Sequence, residues 1–442
     1  MHTLKIKDNT VVHMANFSNV EALTKRIANK TLEQLEKEGV FVFPDMIKEA
    51  EDISREQMIL QQVNDSYQSS NVMGFIGYGK DRLVIESRFS TGQHDYFFQY
   101  LLEVVLDLPN IVDLETDATS ENRLFNLLIF LFPLYLKAAM RKGAYKTYER
   151  NQYNDSHVKG TIDIARHMKQ NTPFTGKIAY NQREFSYDNE LMELIRHTIE
   201  FIKKKPYGQK LLVKAKDEVA AVIAVTTHYE YYNRRKISMA NEKNPIRHAY
   251  YHEYRALQRL CILILQHKKH DIGSGSKQIH GILFDGAWLW EEYIHSLIGQ
   301  HFYHPKNKGG KGAQQLFSSE TRKVGLIYPD FLSKIQENRV IADAKYKPMG
   351  NIGNKDYLQV LAYMFRFDAK QGYYLYPESK GALEKELRMN VGSSYEDNVR
   401  AREDIAVTKL GLQIPKTAKN YNEFKLLMFK NEEIFKNQLV VD

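Results

Sequence analysis

Two aspartates and a lysine towards the C-terminal end of the chain stand in a pattern suited to metal-assisted chemistry. Asp330 ends one apolar run, and Asp343 and Lys345 lie in the next. Residues two apart on a β-strand point to the same face, so Asp343 and Lys345 should share a site, and a paired strand would bring Asp330 beside them. Neighbouring carboxylates repel each other unless a cation lies between them, and Mg²⁺ prefers such oxygen ligands. We therefore predict a magnesium site that activates water against a phosphodiester, with Lys345 as a charged stabiliser.

The sequence around these residues predicts the elements that must hold them. The predicted order is a helix, a basic glycine-rich loop, a strand, a return strand, a second helix and a last strand, at residues 287–300, 306–311, 324–332, 339–347, 356–363 and 372–376. Asp368 and Lys370 repeat the spacing without an apolar strand before them, and Pro44 with the next aspartate has no partner within reach. Only Asp330 and Asp343 have the strand–turn–strand setting that the chemistry requires.

The same region resembles a known family. The segments Tyr328-Pro-Asp-Phe, Ile341-Ala-Asp-Ala-Lys-Tyr-Lys347 and Asp356-Tyr-Leu-Gln359-Val-Leu-Ala-Tyr363 resemble McrC, the nuclease subunit of McrBC-type and LlaJI-type restriction systems, in the PD-(D/E)xK superfamily. Residues 289–294 look like the leading helix of that family, and residues 157–163 and 188–192 resemble its upstream segments. The resemblance covers roughly residues 120–380 and is most specific over residues 285–376.

The resemblance to McrC implies a restriction-endonuclease-like fold that cuts DNA within a hetero-oligomeric, GTP-dependent complex of antiviral defence. It implies that Asp330, Asp343 and Lys345 are catalytic and that Mg²⁺ is the cofactor. Glu291 and Gln359 would support them, with Glu291 joining the two aspartates as a metal ligand. The implied partner is an McrB-like AAA+ GTPase, which binds the GTP and into whose ring an N-terminal domain of this chain would insert. Residues 1–118, however, match no family pattern.

Plainer interpretations of the supporting residues stay open. Glu291 could be a solvated helix residue paired with His295, and Gln359 could be an ordinary polar residue rather than one that contacts phosphate or holds the lysine. Lys347 could contact the DNA backbone or be a simple surface lysine. The basic loop could follow phosphates or be a soluble turn, and its lysines are Lys306, Lys308 and Lys311.

Two other functions compete with the restriction nuclease. A stand-alone repair or recombination nuclease could use the same acids, but its iron–sulfur versions are disfavoured because the chain has one cysteine, Cys261. That cysteine lies in an apolar helical run and is predicted to be an inert core thiol. A non-catalytic adaptor of an AAA+ ring is the third possibility, although an adaptor has no need of clustered acids.

Length and composition bound the architecture. The chain has 442 residues, and its 62 Lys and Arg against 54 Asp and Glu give a net charge of +8, which suits a phosphate-bearing partner only weakly. We predict an α+β multidomain protein: an N-terminal mixed β-rich domain (1–118), a mainly helical middle region (119–270) and a C-terminal α/β restriction-endonuclease-like PD-(D/E)xK core (271–442). The start lacks a signal-peptide form, and the apolar stretch 124–136 is too short to span a bilayer, so we expect a cytoplasmic protein without a membrane segment.

Overall fold

The structure, a computed structural model, divides into two compact units. It describes residues 2–43, 57–90, 92, 94–106, 120–270, 279–305, 312–318, 324–379, 384–392 and 400–439. Residues 1–113 and 275–442 together form the first unit, and residues 114–274 form the second. This division differs from the three predicted domains, since the predicted first and third domains share one unit. The predicted boundary at residue 118 lies outside the described residues.

The N-terminal segment of the first unit is β-rich, as the sequence predicts. Its elements are β1 (His2–Lys7), β2 (Val11–His13), α1 (Glu21–Ile27), α2 (Leu32–Glu38), β3 (Val40–Phe43), β4 (Leu60–Val63), β5 (Ser66–Ser69), β6 (Val72–Tyr78), β7 (Asp81–Glu86) and α3 (Tyr96–Val105). The predicted strands at residues 40–43 and 83–89 are confirmed as β3 and β7. The sequence of the glycine-rich residues 74–79 is compatible with either a bulged strand or a hairpin. In the structure these residues lie mainly in β6.

The second unit contains the predicted helices and also a sheet. Its elements are α4 (Ser120–Met140), β8 (Thr147–Asp155), β9 (Thr161–Ile162), α5 (Ile164–Gln170), β10 (Ile178–Ser186), α6 (Glu190–Lys203), α7 (Gly208–Val213), α8 (Lys216–Val225), α9 (Arg234–Lys243) and α10 (His252–His270). The antiparallel sheet β8-β10-β9 was missed because side chains along β8 alternate between exposed and half-buried. A strand without a buried apolar face leaves no clear pattern in the sequence.

The apolar stretch 124–136 lies within α4. Its side chains from Leu128 to Phe132 are buried, which confirms the prediction that this part is core. Among the helices that the structure describes, none combines the length and the apolar character needed to cross a membrane.

The C-terminal segment returns to the first unit and carries the candidate site. Its elements are β11 (Ile279–Asp285), α11 (Gly286–Ile298), β12 (Phe302–Tyr303), β13 (Gln314–Phe317), β14 (Val324–Ile327), β15 (Phe331–Ser333), β16 (Val340–Ala344), α12 (Asn354–Phe367), β17 (Gln371–Glu378), β18 (Glu384–Val391), β19 (Arg400–Gln413) and α13 (Tyr421–Gln438). The predicted strand 324–332 is divided, because β14 pairs with β13 whereas β15 joins a larger sheet. The competing Asp368 ends α12 in a left-handed conformation, outside any strand.

Two sheets organise the first unit. The five-stranded sheet has the order β1-β7-β6-β11-β3, in which β11 pairs parallel to β3 and antiparallel to β6. This pairing joins the N-terminal and C-terminal segments. The six-stranded sheet has the order β12-β15-β16-β17-β19-β18, and its neighbours β16, β17 and β19 are parallel. The apolar side chains of β17 are buried on both faces, as parallel strands require.

Close packing fixes two helices against the six-stranded sheet. A Cβ atom on Gly372 of β17 would lie 2.7 Å from the Met364 sulfur of α12, so a glycine lets helix and strand approach. On α11, the Trp290 indole donates a hydrogen bond to the Leu375 carbonyl at 2.9 Å and is fully buried. Burial of a large apolar side chain contributes about 1.5–3 kcal/mol. These contacts set the positions of α11 and α12 relative to β16.

Candidate active site

Asp330 and Asp343 meet at one end of the six-stranded sheet. In the antiparallel pair β15–β16, Phe331 lies opposite Ala342, so Asp330, just before β15, comes beside the end of β16. The Asp330 carboxylate accepts a hydrogen bond from the Ala344 backbone N–H at 2.8 Å. The structure therefore brings together the two aspartates that the sequence analysis paired.

Lys345 follows β16 directly and points to the same place as Asp343. Its Nζ lies 2.6 Å from Asp343 Oδ2, in an ion pair whose acid is fully buried. The Lys345 backbone N–H donates to the Leu375 carbonyl at 2.9 Å, which continues the pairing of β16 with β17. This backbone contact holds the i and i+2 side chains on one face.

Gln359 of α12 holds the amine of Lys345 from the other side. The Lys345 Nζ donates to Gln359 Oε1 at 3.1 Å, and Gln359 Nε2 donates to the Tyr363 hydroxyl at 2.6 Å. The Tyr363 hydroxyl in turn donates to the Tyr328 carbonyl at 3.1 Å. Burial raises the pKa of Tyr363 to about 12, so this hydroxyl keeps its proton and the chain of donors stays intact at neutral pH. Gln359 thus has a definite structural contact with the lysine.

Glu291 of α11 reaches the site through a histidine that the sequence analysis did not assign to it. His304 Nδ1 lies 2.9 Å from the Asp330 carbonyl oxygen, an acceptor, so the proton of this ring nitrogen points there. His304 Nε2 lies 3.7 Å from Glu291 Oε1. The ring also stacks on Phe331 with 5.0 Å between centroids. His304 therefore contacts both Glu291 of α11 and the Asp330 backbone, whereas the plainer interpretation of Glu291 paired it with His295.

The electrostatics of the site are those of crowded acids balanced by one amine. Burial raises the pKa of Asp330 well above its usual range, and the charges of Glu291 and Asp343 raise it further. Burial alone would lower the pKa of Lys345, but the charges of Asp343 and Asp330 outweigh this effect and raise it. Lys345 therefore remains an ammonium ion at neutral pH, and its proton is not readily lost to a substrate.

The donor set suits a hard divalent cation. Mg²⁺ needs only one or two carboxylates beside water and phosphate, and Asp330 and Asp343 supply two that repel each other. Within the described residues, no three His, Cys, Asp or Glu side chains group closely enough to hold a metal ion together. The structure thus does not place Glu291 with the two aspartates in a common ligand set.

Of the lysines predicted to contact DNA, the structure describes only Lys347. Lys347 is engaged by Asp356, whose two carboxylate oxygens lie 2.8 and 2.7 Å from its Nζ. Lys306, Lys308 and Lys311 lie outside the described residues.

Asp356 and Tyr346 are two neighbours of the site that the sequence analysis left without a role. Asp356, near the start of α12, also lies 3.8 Å from the Lys345 amine. Tyr346 is buried, and its hydroxyl lies 2.7 Å from the Ser87 hydroxyl in the N-terminal segment. The three-residue spacing between Asp356 and Gln359 on one helix face could have indicated the first contact. No local signal could have indicated the second.

The fold and the site define a multidomain α+β protein with a buried carboxylate–lysine centre, and a sequence comparison names its family. The family model described as "McrBC 5-methylcytosine restriction system component" matches residues 67–377, which is more than half of the chain and includes Asp330, Asp343, Lys345, Glu291 and Gln359. The match begins at residue 67, so the expectation that residues 1–118 fit no family pattern is wrong for residues 67–118. The chain belongs to this family, as the resemblance to McrC predicts.

Comparison with solved structures gives two distant likenesses. A chain of the Thermococcus gammatolerans assembly of McrB AAA+ hexamers with bound McrC is 14% identical, with a TM-score of 0.47, over 99% of this chain and 100% of that one. A chain of the Thermococcus gammatolerans McrBC complex is 13% identical, with a TM-score of 0.30, over 67% of this chain and 87% of that one. No curated protein matches the chain. The family assignment rests on the sequence match.

Proposed function

We propose that the chain is the DNA-cutting subunit of a GTP-dependent, McrBC-like restriction complex, with a PD-(D/E)xK nuclease centre in its C-terminal part. One observation carries the proposal: Asp330 and Asp343 crowd together at a sheet edge with the ammonium group of Lys345 2.6 Å from Asp343. Such a cluster is costly to a folded protein, because buried like charges destabilise it. In a phosphodiester hydrolase such a cluster would bind the metal ion and stabilise the reacting phosphate. Membership of a restriction-system family agrees with that role.

Each residue has a distinct role in the proposed reaction. Asp330 and Asp343 would hold Mg²⁺, which when bound polarises the scissile phosphate and lowers the pKa of water. Lys345 would stabilise the negative charge that develops on the phosphate, because its raised pKa keeps it charged and makes it unsuitable as a general base. Gln359 would keep the amine aimed into the site through its 3.1 Å hydrogen bond.

Glu291 supports the centre in this proposal through His304. The contacts of the histidine with Glu291 and with the Asp330 carbonyl would hold the aspartate in place as the substrate arrives. Lys347 and the loop with Lys306, Lys308 and Lys311 are proposed to contact the DNA backbone. For Lys347, phosphate would have to compete with Asp356.

The proposed partner is an McrB-like AAA+ GTPase, which would bind the GTP and form a hetero-oligomer with this chain. This proposal follows from the family, a component of the McrBC restriction system. It predicts weak cutting by the chain alone and strong cutting in the complex. Strong cutting without a partner would instead indicate a stand-alone nuclease.

The test is a cleavage assay of the reconstituted complex. The chain is purified together with an McrB-like AAA+ GTPase and incubated with DNA, GTP and Mg²⁺. We expect Asp343→Ala to assemble with the partner and to lose cleavage, since it removes a proposed metal ligand. The exposed Glu337, in the turn before β16, supplies the control Glu337→Gln, which should cut as the parent does. Full cleavage by Asp343→Ala would refute the proposal.

A further inference from the structure

The second unit carries a basic groove that the proposed nuclease chemistry does not use. The groove is a shallow, open depression of about 640 Å³ along α9 and the turn before it. Its lining includes Tyr232, Arg235, Lys236, Met239 and Lys243. Tyr232 is 77% exposed, so the groove offers an aromatic ring to solvent beside three cations.

The three cations of the groove form no ion pairs with described residues, although the Glu230 carboxylate lies at the groove and is hydrogen-bonded to the Tyr232 hydroxyl. In the part of the chain that the structure describes, Arg235, Lys236 and Lys243 are exposed and none of them forms an ion pair. Burial raises the pKa of Glu193 to about 7, and the nearby charge of Lys236 only opposes that rise. Exposed cations that lie together on one helix face create a positive potential that attracts polyanions.

The basic surface continues onto the end of α6. The Lys204 amine donates a hydrogen bond to the Tyr231 hydroxyl at 2.8 Å and lies 4.1 Å from the centre of that ring. Tyr231 is 63% exposed. Alternating cations and exposed aromatic rings are typical of surfaces that bind nucleic acids.

The spacing of the cations suits a row of phosphates. Arg235 and Lys243 lie eight residues apart on α9, which is about 12 Å along a helix. One DNA strand advances about 3.4 Å per phosphate along its axis, so this length spans three to four phosphates. Arg235 and Lys236 near the start of α9 and Lys243 at its end thus present cations at two separate points, which two phosphates of one strand can occupy.

We propose that this groove, defined by Tyr232, Arg235, Lys236 and Lys243, is a second DNA-binding site that holds the phosphate backbone of a duplex. It belongs to the second unit, whereas the carboxylate–lysine centre belongs to the first. The choice of DNA as the polyanion rests on the proposed nuclease function. The groove and its charges do not depend on that function.

The test measures binding and needs no cleavage. The full chain is titrated into a fluorescein-labelled DNA duplex in EDTA, and anisotropy gives the affinity over a range of salt concentrations. The variant Arg235→Ala/Lys236→Ala/Lys243→Ala should bind on the order of a hundredfold more weakly at about 0.1 M salt. The slope of log affinity against log salt should shrink by about 2.7 for three lost phosphate contacts.

A matched variant distinguishes the loss of this particular site from a general loss of positive charge. Lys159→Ala/Lys169→Ala/Lys177→Ala removes the same charge from exposed positions of the same unit and should keep the parental slope. Should the first triple variant fail to fold, Lys243→Gln alone should reduce the slope by about 0.9. A parent that binds no duplex, a groove variant with the parental slope, or equal losses in both triple variants would overturn the proposal. If the complex cuts no DNA but the groove variant still shows the reduced slope, only the proposed nuclease function is refuted.

Discussion

Crowded carboxylates in the candidate site should make the folded protein less stable than it would be without them. The substitution Asp330→Asn removes a charge from a partly buried position and keeps an oxygen that can accept the Ala344 N–H. Burial and the charges of Glu291 and Asp343 raise the pKa of Asp330 well above its usual range. Each unit of such a rise costs the folded state about 1.4 kcal/mol once the pH exceeds both pKa values. We expect the free energy of unfolding of Asp330→Asn to exceed that of the parent by on the order of 1–3 kcal/mol at neutral pH in EDTA.

The pH dependence of this gain has a fixed sign. Because the folded-state pKa of Asp330 is raised, the carboxyl is protonated in both states below about pH 4, and the parent then carries no penalty from this group. The penalty develops as the pH rises from there to the folded-state pKa and is complete above it. The difference in the free energy of unfolding between Asp330→Asn and the parent should therefore shrink towards acidic pH.

The assay is thermal unfolding followed by circular dichroism, with and without Mg²⁺. A gain of 1 kcal/mol in the free energy of unfolding should raise the Tm by about 1–2 °C, because the unfolding entropy grows with the number of residues that unfold together. Mg²⁺ at about a hundredfold excess over its Kd should stabilise the parent by about 2.7 kcal/mol and leave Asp330→Asn nearly unchanged. The control Glu337→Gln should follow the parent throughout, since that carboxylate is exposed. A lower Tm for Asp330→Asn in EDTA, or an equal response of both proteins to Mg²⁺, would refute the reasoning.

Three further predictions follow from single contacts. Gln359→Leu removes the acceptor of the Lys345 amine, so the single-turnover cleavage rate should fall about tenfold to a hundredfold while DNA affinity is kept; a parental rate would show that the contact is unimportant. Tyr346→Phe removes a buried hydrogen bond to Ser87, so denaturant unfolding should show a loss of about 1 kcal/mol, and no loss would contradict its role. The Cys261 thiol is buried with its pKa raised to about 12, so a thiol reagent should modify it only after unfolding; rapid labelling of the native protein would contradict this.

The centre of the candidate site could be predicted because its parts are close in sequence. Asp330 and Asp343 are brought together by adjacent strands of one hairpin, and Lys345 follows by the two-residue period of a strand. Gln359 lies on the next helix along the chain. The contact of His304 with the Asp330 carbonyl bridges α11 and the hairpin through a loop, for which the sequence contains no regular signal.

The domain division could not be predicted for a related reason. The strand β11 pairs with β3 and β6, which lie more than two hundred residues earlier, and such pairing depends on the whole fold. The sheet of β8 and β10 was missed because neither strand has a continuous buried face. Local patterns thus predicted the hairpin and the helices, and long-range pairing determined which segments share a unit.

The most direct test of the central claim compares two lysines that lie two residues apart on the chain. Lys345 contacts Asp343 at 2.6 Å, whereas Lys347 contacts Asp356 at 2.7 Å. Single-turnover cleavage of labelled DNA is measured for Lys345→Met and Lys347→Met in the complex with the AAA+ partner, GTP and Mg²⁺. We predict that Lys345→Met slows cleavage at least about a hundredfold and that Lys347→Met changes it only severalfold. Parental cleavage by Lys345→Met, or equal losses in both variants, would contradict the account.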